Sequence, residues 1–412
     1  MEFRNIALYN KLRECIEGAC KDSLSWRPHT TKYQLLIESI LAEEVVRRNI
    51  KWWAPNRPIA DEATTWVAHF FQGYQEKTQN GLVWDTEAFD RTFSRLEEFL
   101  YQDPYASHFV SPLKPFSYDL SVSVELETGV RIRRPDDFLT SILRNQELNI
   151  EYSPDAADWV VDIVIEQPKT VEREAGDGYA SRSNKKLRMV LQSLRLLHRG
   201  KVFVGPLYYL IYPPFAGFKR NIGALLDTGL TTLPLTHLTY LTLAGYQLDE
   251  RELGELRTIY RSTAKESSHY PDSLALALSR FHDYFGRIDE LDGLLDLVIA
   301  LEALFAAGSQ EIRHSLALRC SYFLELDLQK RKSLFSRLSD IYDIRSFVVH
   351  GRTGLPKKWR KLRGQDYDVA LASIVAYAEE CVRQAIRKII VERHLDKLKN
   401  PTHWSKYLDD LV

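Results

Sequence analysis

Asp340-Ile-Tyr-Asp-Ile-Arg-Ser-Phe-Val-Val-His-Gly351 decides how the last third of the chain is read. Leu334, Leu338, Ile341, Arg345 and Val348 recur at the spacing of one helical face, so the stretch ends an amphipathic helix with an arginine written into its apolar stripe. Asp343, Ser346 and His350 form a neighbouring polar stripe, and Gly351 follows as a terminator. His350 therefore falls in the last turn.

Working outward, helical patterns run over about 273–286, 289–307, 311–326, 330–350 and 366–396, joined by short glycine or polar breaks. Short connections favour antiparallel neighbours, so a helical bundle is expected over 271–412. In its second helix Leu291, Leu295, Val298, Glu302 and Phe305 share a stripe. Glu302 is thus a carboxylate in an apolar face, and a buried charge needs a partner. Arg345 and Arg319 are the arginines in comparable positions. Pairing with Arg345 would orient its guanidinium; pairing with Arg319 would be bundle architecture, and the pattern favours the second.

An arginine and a histidine suit phosphodiester cleavage without metal. Arginine supplies an always-charged fork for non-bridging phosphate oxygens, and histidine moves a proton onto or off the reacting oxygens. Residues five apart on a helix point roughly 140° from each other. One copy is an incomplete site, and a two-fold dimer bringing Arg345 and His350 from both chains around one groove is the expected arrangement. A second arginine-histidine pair, Arg387 and His394, aligns with Glu380 and Gln384 and reads as a solvated face.

Beyond His350 come Arg352, Lys357, Lys358, Trp359, Arg360, Lys361 and Arg363. Such a charge run reads equally as a solvated loop or as an RNA guide with the tryptophan as a stacking platform.

The run Leu-Val-Ile-Ala-Leu-Glu-Ala-Leu-Phe at 297–305, Leu316-Ala-Leu-Arg319 and Tyr342-Asp-Ile-Arg-Ser-Phe-Val-Val-His-Gly351 together resemble the Apea-like branch of the HEPN superfamily. The resemblance covers roughly the last third of the chain. It implies a helical bundle that dimerises and a metal-independent ribonuclease whose R-x4-6-H motif carries catalysis, with toxins and antiviral effectors of bacteria among its members. The motif's arginine falls on Arg345 and its histidine on His350. Ser346 stands where the wider superfamily often has Asn, Asp or His, as in the Apea-like branch. Asp343 and Glu302 are expected to support the pair. A non-catalytic module binding RNA, a nucleotide or a protein accounts for the same residues, as does a purely structural role.

At 412 residues the chain has room for two or three domains, and 27% charged with 45% hydrophobic residues describes an ordinary globular protein. A net charge of −1 argues neither for nor against nucleic acid. No apolar signal core follows Met1 and no run is long enough to span a bilayer, so a cytoplasmic protein without a membrane partner is expected. Cys15, Cys20, Cys320 and Cys381 form no Cys-x-x-Cys pair and lie near no spaced histidines, so no metal site is expected. Gly-x-Ser-x-Gly, Gly-x4-Gly-Lys-Ser/Thr and Gly-x-Gly-x-x-Gly are absent, and no cofactor is expected.

The remaining chain completes an α+β, predominantly helical reading. Residues 1–110 are helical and aromatic-rich, with Leu35 to Val45 and Phe89 to Leu100 as amphipathic segments. Trp52, Trp53, Trp66, Phe70, Phe71, Tyr74 and Trp84 read as a core; any exposed part would be the surface for a protein or ligand trigger. Over 111–215 the period changes to alternation: Tyr118 to Leu126, a Thr128-Gly129 turn, Val130 and Ile132, then Trp159 to Ile165 and Val202 to Tyr212. Pro135-Asp136-Asp137 opens a short helix, Glu172 to Lys186 reads as a polar loop, and Leu187 to Leu194 marks a helix ending at Gly200. Residues 216–270 connect this small α+β domain to the bundle.

Overall fold

The computed structural model describes residues 3–21, 31–54, 56–75, 78, 83–114, 116–118, 123–135, 159–170, 176–205, 207–210, 222–225, 246–266, 270–306, 309–350, 367–392 and 394–412. The chain is predominantly helical, with mostly antiparallel strand pairs. The early helices are α1 (Ile6–Lys21), α2 (Thr31–Leu41), α3 (Glu44–Trp53), α4 (Ile59–Gln75) and α5 (Thr86–Tyr101). Then come β1 (Tyr105–Lys114), β2 (Phe116–Tyr118), β3 (Val124–Glu127), β4 (Val130–Arg133), β5 (Val160–Gln167), α6 (Gly176–Leu197), β6 (Phe203–Val204), β7 (Leu207–Leu210), β8 (Ile222–Leu225) and β9 (Tyr246–Leu248). The chain ends with α7 (Leu253–Glu266), α8 (Asp272–Phe285), α9 (Glu290–Phe305), α10 (Ile312–Leu324), α11 (Leu328–Val349), α12 (Tyr367–Val391), α13 (Leu395–Leu398) and α14 (Pro401–Asp410).

Two compact units share these elements. One is Met1–Ser111, Asp162–Lys185 and Pro206–Asp227; the other is Pro112–Val161, Lys186–Gly205 and Thr228–Val412. Residues 111–215 are therefore divided between the units, with the boundary falling within β1, β5 and α6.

The first unit is built on aromatic burial. Trp52, Trp53, Trp66, Phe70, Phe71 and Tyr74 are buried with Phe89, Phe93 and Phe99. Trp53 and Trp66 each meet the Phe99 ring edge-on at 5.4 Å. Each such side chain contributes about 1.5–3 kcal/mol by leaving water, so the aromatic cluster is core. A cavity of about 20 Å³ among Leu8, Leu12, Ile40, Trp66 and Phe70 holds at most about one water, too little for a ligand. The segment read as one helix from Leu35 to Val45 is two. Glu43 leaves helical geometry, and its carboxylate is held by Lys11 at 2.8 Å and Asn5 at 3.3 Å. The Lys11 hydrogen bond keeps that carboxyl below its ordinary range. β1 and β7 are antiparallel, Phe109 opposite Tyr209, and β7 pairs with β8.

In the second unit β3 and β4 form the expected hairpin, turning at Gly129 with φ 78°. Its inward Val124, Leu126, Val130 and Ile132 are buried. The run read as one strand from Val202 to Tyr212 is two short ones. Phe203 and Val204 pair with the end of β1, and the Gly205 amide donates to the Pro112 carbonyl at 2.8 Å. β2 runs parallel to β9, placing Phe116 opposite Tyr246. The polar run read as a loop up to Lys186 is helix from Gly176 onward, because the apolar face at Leu187, Val190, Leu191 and Leu194 nucleates a helix that propagates back through residues of adequate propensity. The short helix expected after Pro135 lies outside the described residues.

The five helical patterns of the last third correspond to α8 through α12 within a few residues. α9 is the central one: Leu294, Asp296, Leu297, Val298, Ala300, Leu301, Leu304 and Phe305 are all buried, as befits a helix that packs against α8, α10, α11 and α12. Two short helices complete the core. Trp404 on α14 is buried and donates its indole N–H to the Leu304 carbonyl at 2.5 Å. Among the described residues no helix is long and apolar enough to cross a membrane, and no cluster of His, Cys, Asp or Glu could hold a metal.

Candidate functional site

α11 starts at Asp327, whose carboxylate accepts from the Gln329 and Lys330 amides, and Leu334, Leu338, Ile341 and Ile344 anchor it in the core. That burial fixes the rotation of the helix, and Arg345 emerges at the edge of the buried stripe. Its guanidinium meets Glu302 of α9: Nε lies 3.3 Å from Oε1, and Nη2 donates to Oε2 at 3.5 Å. The side chains are 27% and 19% exposed. The contact is an ion pair by distance and a poor hydrogen-bond pair by direction. Nε and Oε1 are both shut from solvent, yet the N–H does not point at the oxygen. Burial raises the Glu302 carboxyl above its ordinary value, outweighing the opposing pull of Arg345. The Tyr342 ring lies 5.6 Å from the guanidinium carbon.

The pairing favoured from sequence, Glu302 with Arg319, does not form. Arg319 is 8% exposed and its fork is filled by Asp409 at 2.8 and 3.1 Å, Ser405 at 2.7 Å and the Phe305 carbonyl at 3.2 Å. Ser405 and Asp409 belong to α14, an element too short to register as a pattern. Without it, Arg319 looked as much in need of a carboxylate as Arg345.

His350 is the residue that ends α11. Its amide donates to the Ser346 carbonyl at 3.2 Å, and the residue is exposed. Ser346 is half-buried. Asp343 is exposed and drawn to Arg313 of α10, with Nη2 at 2.8 Å from Oδ2; such a surface pair is worth about 0–1 kcal/mol. Of the five residues singled out around the motif, the fold thus joins Arg345 to Glu302 and commits Asp343 elsewhere. Arg352, Lys357, Lys358, Trp359, Arg360, Lys361 and Arg363 lie outside the described residues.

The second arginine-histidine pair lies on a partly solvated side of α12, with Gln384 exposed, Arg387 38% exposed and His394 mostly covered. Arg387 is ion-paired with Glu255 of α7, and Glu380 is held by Arg199 at 3.1 Å and Arg383 at 2.6 Å. His394 stacks on Tyr407 and meets Phe323 edge-on. The charges along that side of α12 keep part of their surface in water while pairing with charges elsewhere in the unit.

Among the described residues, four carboxylates that the sequence reading did not single out are buried, Glu62, Asp162, Asp296 and Glu379, and two of them lie inside apolar runs. Asp296, 2% exposed on α9, is clamped by Arg280 at 3.1 Å and Arg287 at 2.6 Å. Asp162, fully buried on β5, faces Nδ1 of the half-exposed His108 at 3.1 Å. The signal that singled out Glu302, a carboxylate inside an apolar run, is present in both sequences.

Comparison with protein-family models, with curated proteins and with solved structures found no match.

Proposed function

We propose that the chain is a metal-independent endoribonuclease with its R-x4-H site at Arg345 and His350, built on a HEPN-like bundle and completed by a second copy. The observation that carries this reading is the placement of Arg345 at the half-buried edge of α11, its fork met by one carboxylate, on a helix that ends in an exposed histidine. In the paired site the RNA's own 2′-hydroxyl oxygen attacks phosphorus, the bond to the 5′-oxygen breaks, and a cyclic phosphate and a 5′-hydroxyl remain. Arg345 stabilises charge on the non-bridging oxygens, and His350 takes the proton from the nucleophile or gives one to the leaving oxygen. The cationic run from Arg352 to Arg363, with Trp359, guides the strand. By analogy with the same superfamily, the chain is a cytoplasmic bacterial defence or toxin effector restrained by its N-terminal region, which answers a protein or ligand trigger.

The Glu302 contact favours a second reading, in which the same surface binds RNA, a nucleotide or a protein without chemistry. Cleavage of a mixed RNA panel in EDTA, beside folded His350→Ala and Arg345→Ala variants, separates the two. Cyclic-phosphate products reduced about 10²–10⁴-fold in both variants are expected. Cleavage that survives His350→Ala removes the assignment.

A further inference from the structure

Arg345 is held differently from every other interior arginine of its unit for which partners are described. Arg319 is saturated by a bidentate carboxylate, a hydroxyl and a carbonyl. Arg383, 1% exposed, donates to the Arg195 carbonyl at 2.8 Å and to Glu379 and Glu380. Arg195, 1% exposed, gives Nε and Nη2 to the Val202 carbonyl at 3.3 and 3.1 Å, leaves Nη1 buried without a partner, and lies 4.3 Å from the Phe285 ring centre, sealed from water where Arg345 is not. Arg345 has one directed hydrogen bond, at 3.5 Å, to a carboxylate whose other oxygen lies 3.3 Å from a misdirected Nε–H. Strong arginine-carboxylate pairs close to about 2.7–2.9 Å with two parallel bonds. Both side chains keep part of their surface in water, although Nε and Oε1 themselves are covered.

A carboxylate and a phosphate compete for the same donors. A phosphodiester presents two non-bridging oxygens, free phosphate presents more, and either can orient to the fork, whereas Glu302 is tethered to α9 and misses the geometry. The carboxylate is also taken from water by its place on α9, and burial pushes its protonation range up.

We infer that Glu302 gates Arg345: its carboxylate occupies the guanidinium fork in the resting chain, and a phosphate-class anion enters by displacing it. The gate rests on the reading of Arg345 as a phosphate-binding group. Glu302 is then a regulatory residue, setting a threshold that weak anions do not cross and a strand anchored at several phosphates does.

The test is a double-mutant cycle on the full chain with inorganic phosphate as probe, read by calorimetry. Glu302→Gln keeps the shape and removes the charge, so phosphate should bind about tenfold tighter or more, and the gain should vanish when Arg345→Ala is added. Glu302→Asp, one methylene shorter with its charge kept, should fall between wild type and Glu302→Gln and serves if the glutamine variant fails to fold. Phosphate bound no tighter by either variant, or a gain that persists without Arg345, overturns the gate. RNA cleavage is assayed on the same proteins. A positive cycle keeps the gate whether or not RNA is cleaved; Arg345-dependent cleavage with no gain in Glu302→Gln removes the gate and leaves the nuclease.

Discussion

Arg319 and Arg345 stand on neighbouring helices, and both belong to apolar stripes, but their partners give them opposite roles. Removing Arg319 leaves the buried Phe305 carbonyl without its donor and takes away a bidentate contact to the exposed Asp409 and a bond to the half-buried Ser405. Arg319→Ala should therefore cost about 2–3 kcal/mol. Arg345→Ala should cost roughly 1 kcal/mol or less, because its pair is partly solvated and poorly aligned. Urea unfolding of both variants checks the order; equal losses would make Arg345 a residue of the fold. Lys169 poses the corresponding question in the first unit. It is 7% exposed, its ammonium donating to Asn49 at 2.6 Å and to the Phe99 carbonyl at the end of α5. Burial lowers it from the ordinary 10.5 to about 8, with the Asp103 charge opposing. Between those values the unfolded chain binds a proton that the folded chain has released. Stability therefore rises with pH across the window, by up to ~1.4 kcal/mol per unit, and that gain is lost as pH falls through about 8. The difference between wild type and Lys169→Met, followed by tryptophan fluorescence in urea, should carry this slope.

At the scale of elements, ends and turns do the specifying. Asp327 holds the first turn of α11 through two amides, and Asp327→Ala should lower stability by about 1 kcal/mol in chemical unfolding. Gly200, just past α6, has φ 144°, and a Cβ there would lie 3.0 Å from the Tyr246 ring. Tyr246 is itself fixed, its hydroxyl donating to the Leu194 carbonyl at 2.7 Å. Gly200→Ala should cost about 1–3 kcal/mol, since neither the backbone nor the ring can yield cheaply; an unchanged unfolding midpoint would mean that the β9 strand shifts freely.

Across the whole molecule, two units interleave along the chain, and the proposed chemistry lies on helices of the second. If the cationic run after Gly351 guides RNA, changing Lys357, Lys358, Arg360 and Lys361 to glutamate should weaken RNA binding strongly at low salt and flatten its salt dependence, each lost phosphate contact reducing the slope by about 0.7 for a single strand. Binding assays over a salt series read both. A variant whose affinity and slope match wild type would leave the run a solvated loop.

The sequence by itself determined what periodicity can encode. α8 to α12 were legible because a buried stripe must recur every three or four residues, and the β3–β4 hairpin because alternation and a glycine turn specify one. The placement of Arg345 in its stripe and the isolation of Glu302 in an apolar face were legible for the same reason. Only the tertiary structure decided which charge meets which. Partners such as Asp409 lie ninety residues from Arg319 on a helix of two to three turns, and the pairs Arg387 with Glu255 and Glu380 with Arg199 join residues still further apart in the chain. Hydrophobic period is a local property of one helix. Ion pairing depends on distances between elements, which no spacing along a single one contains.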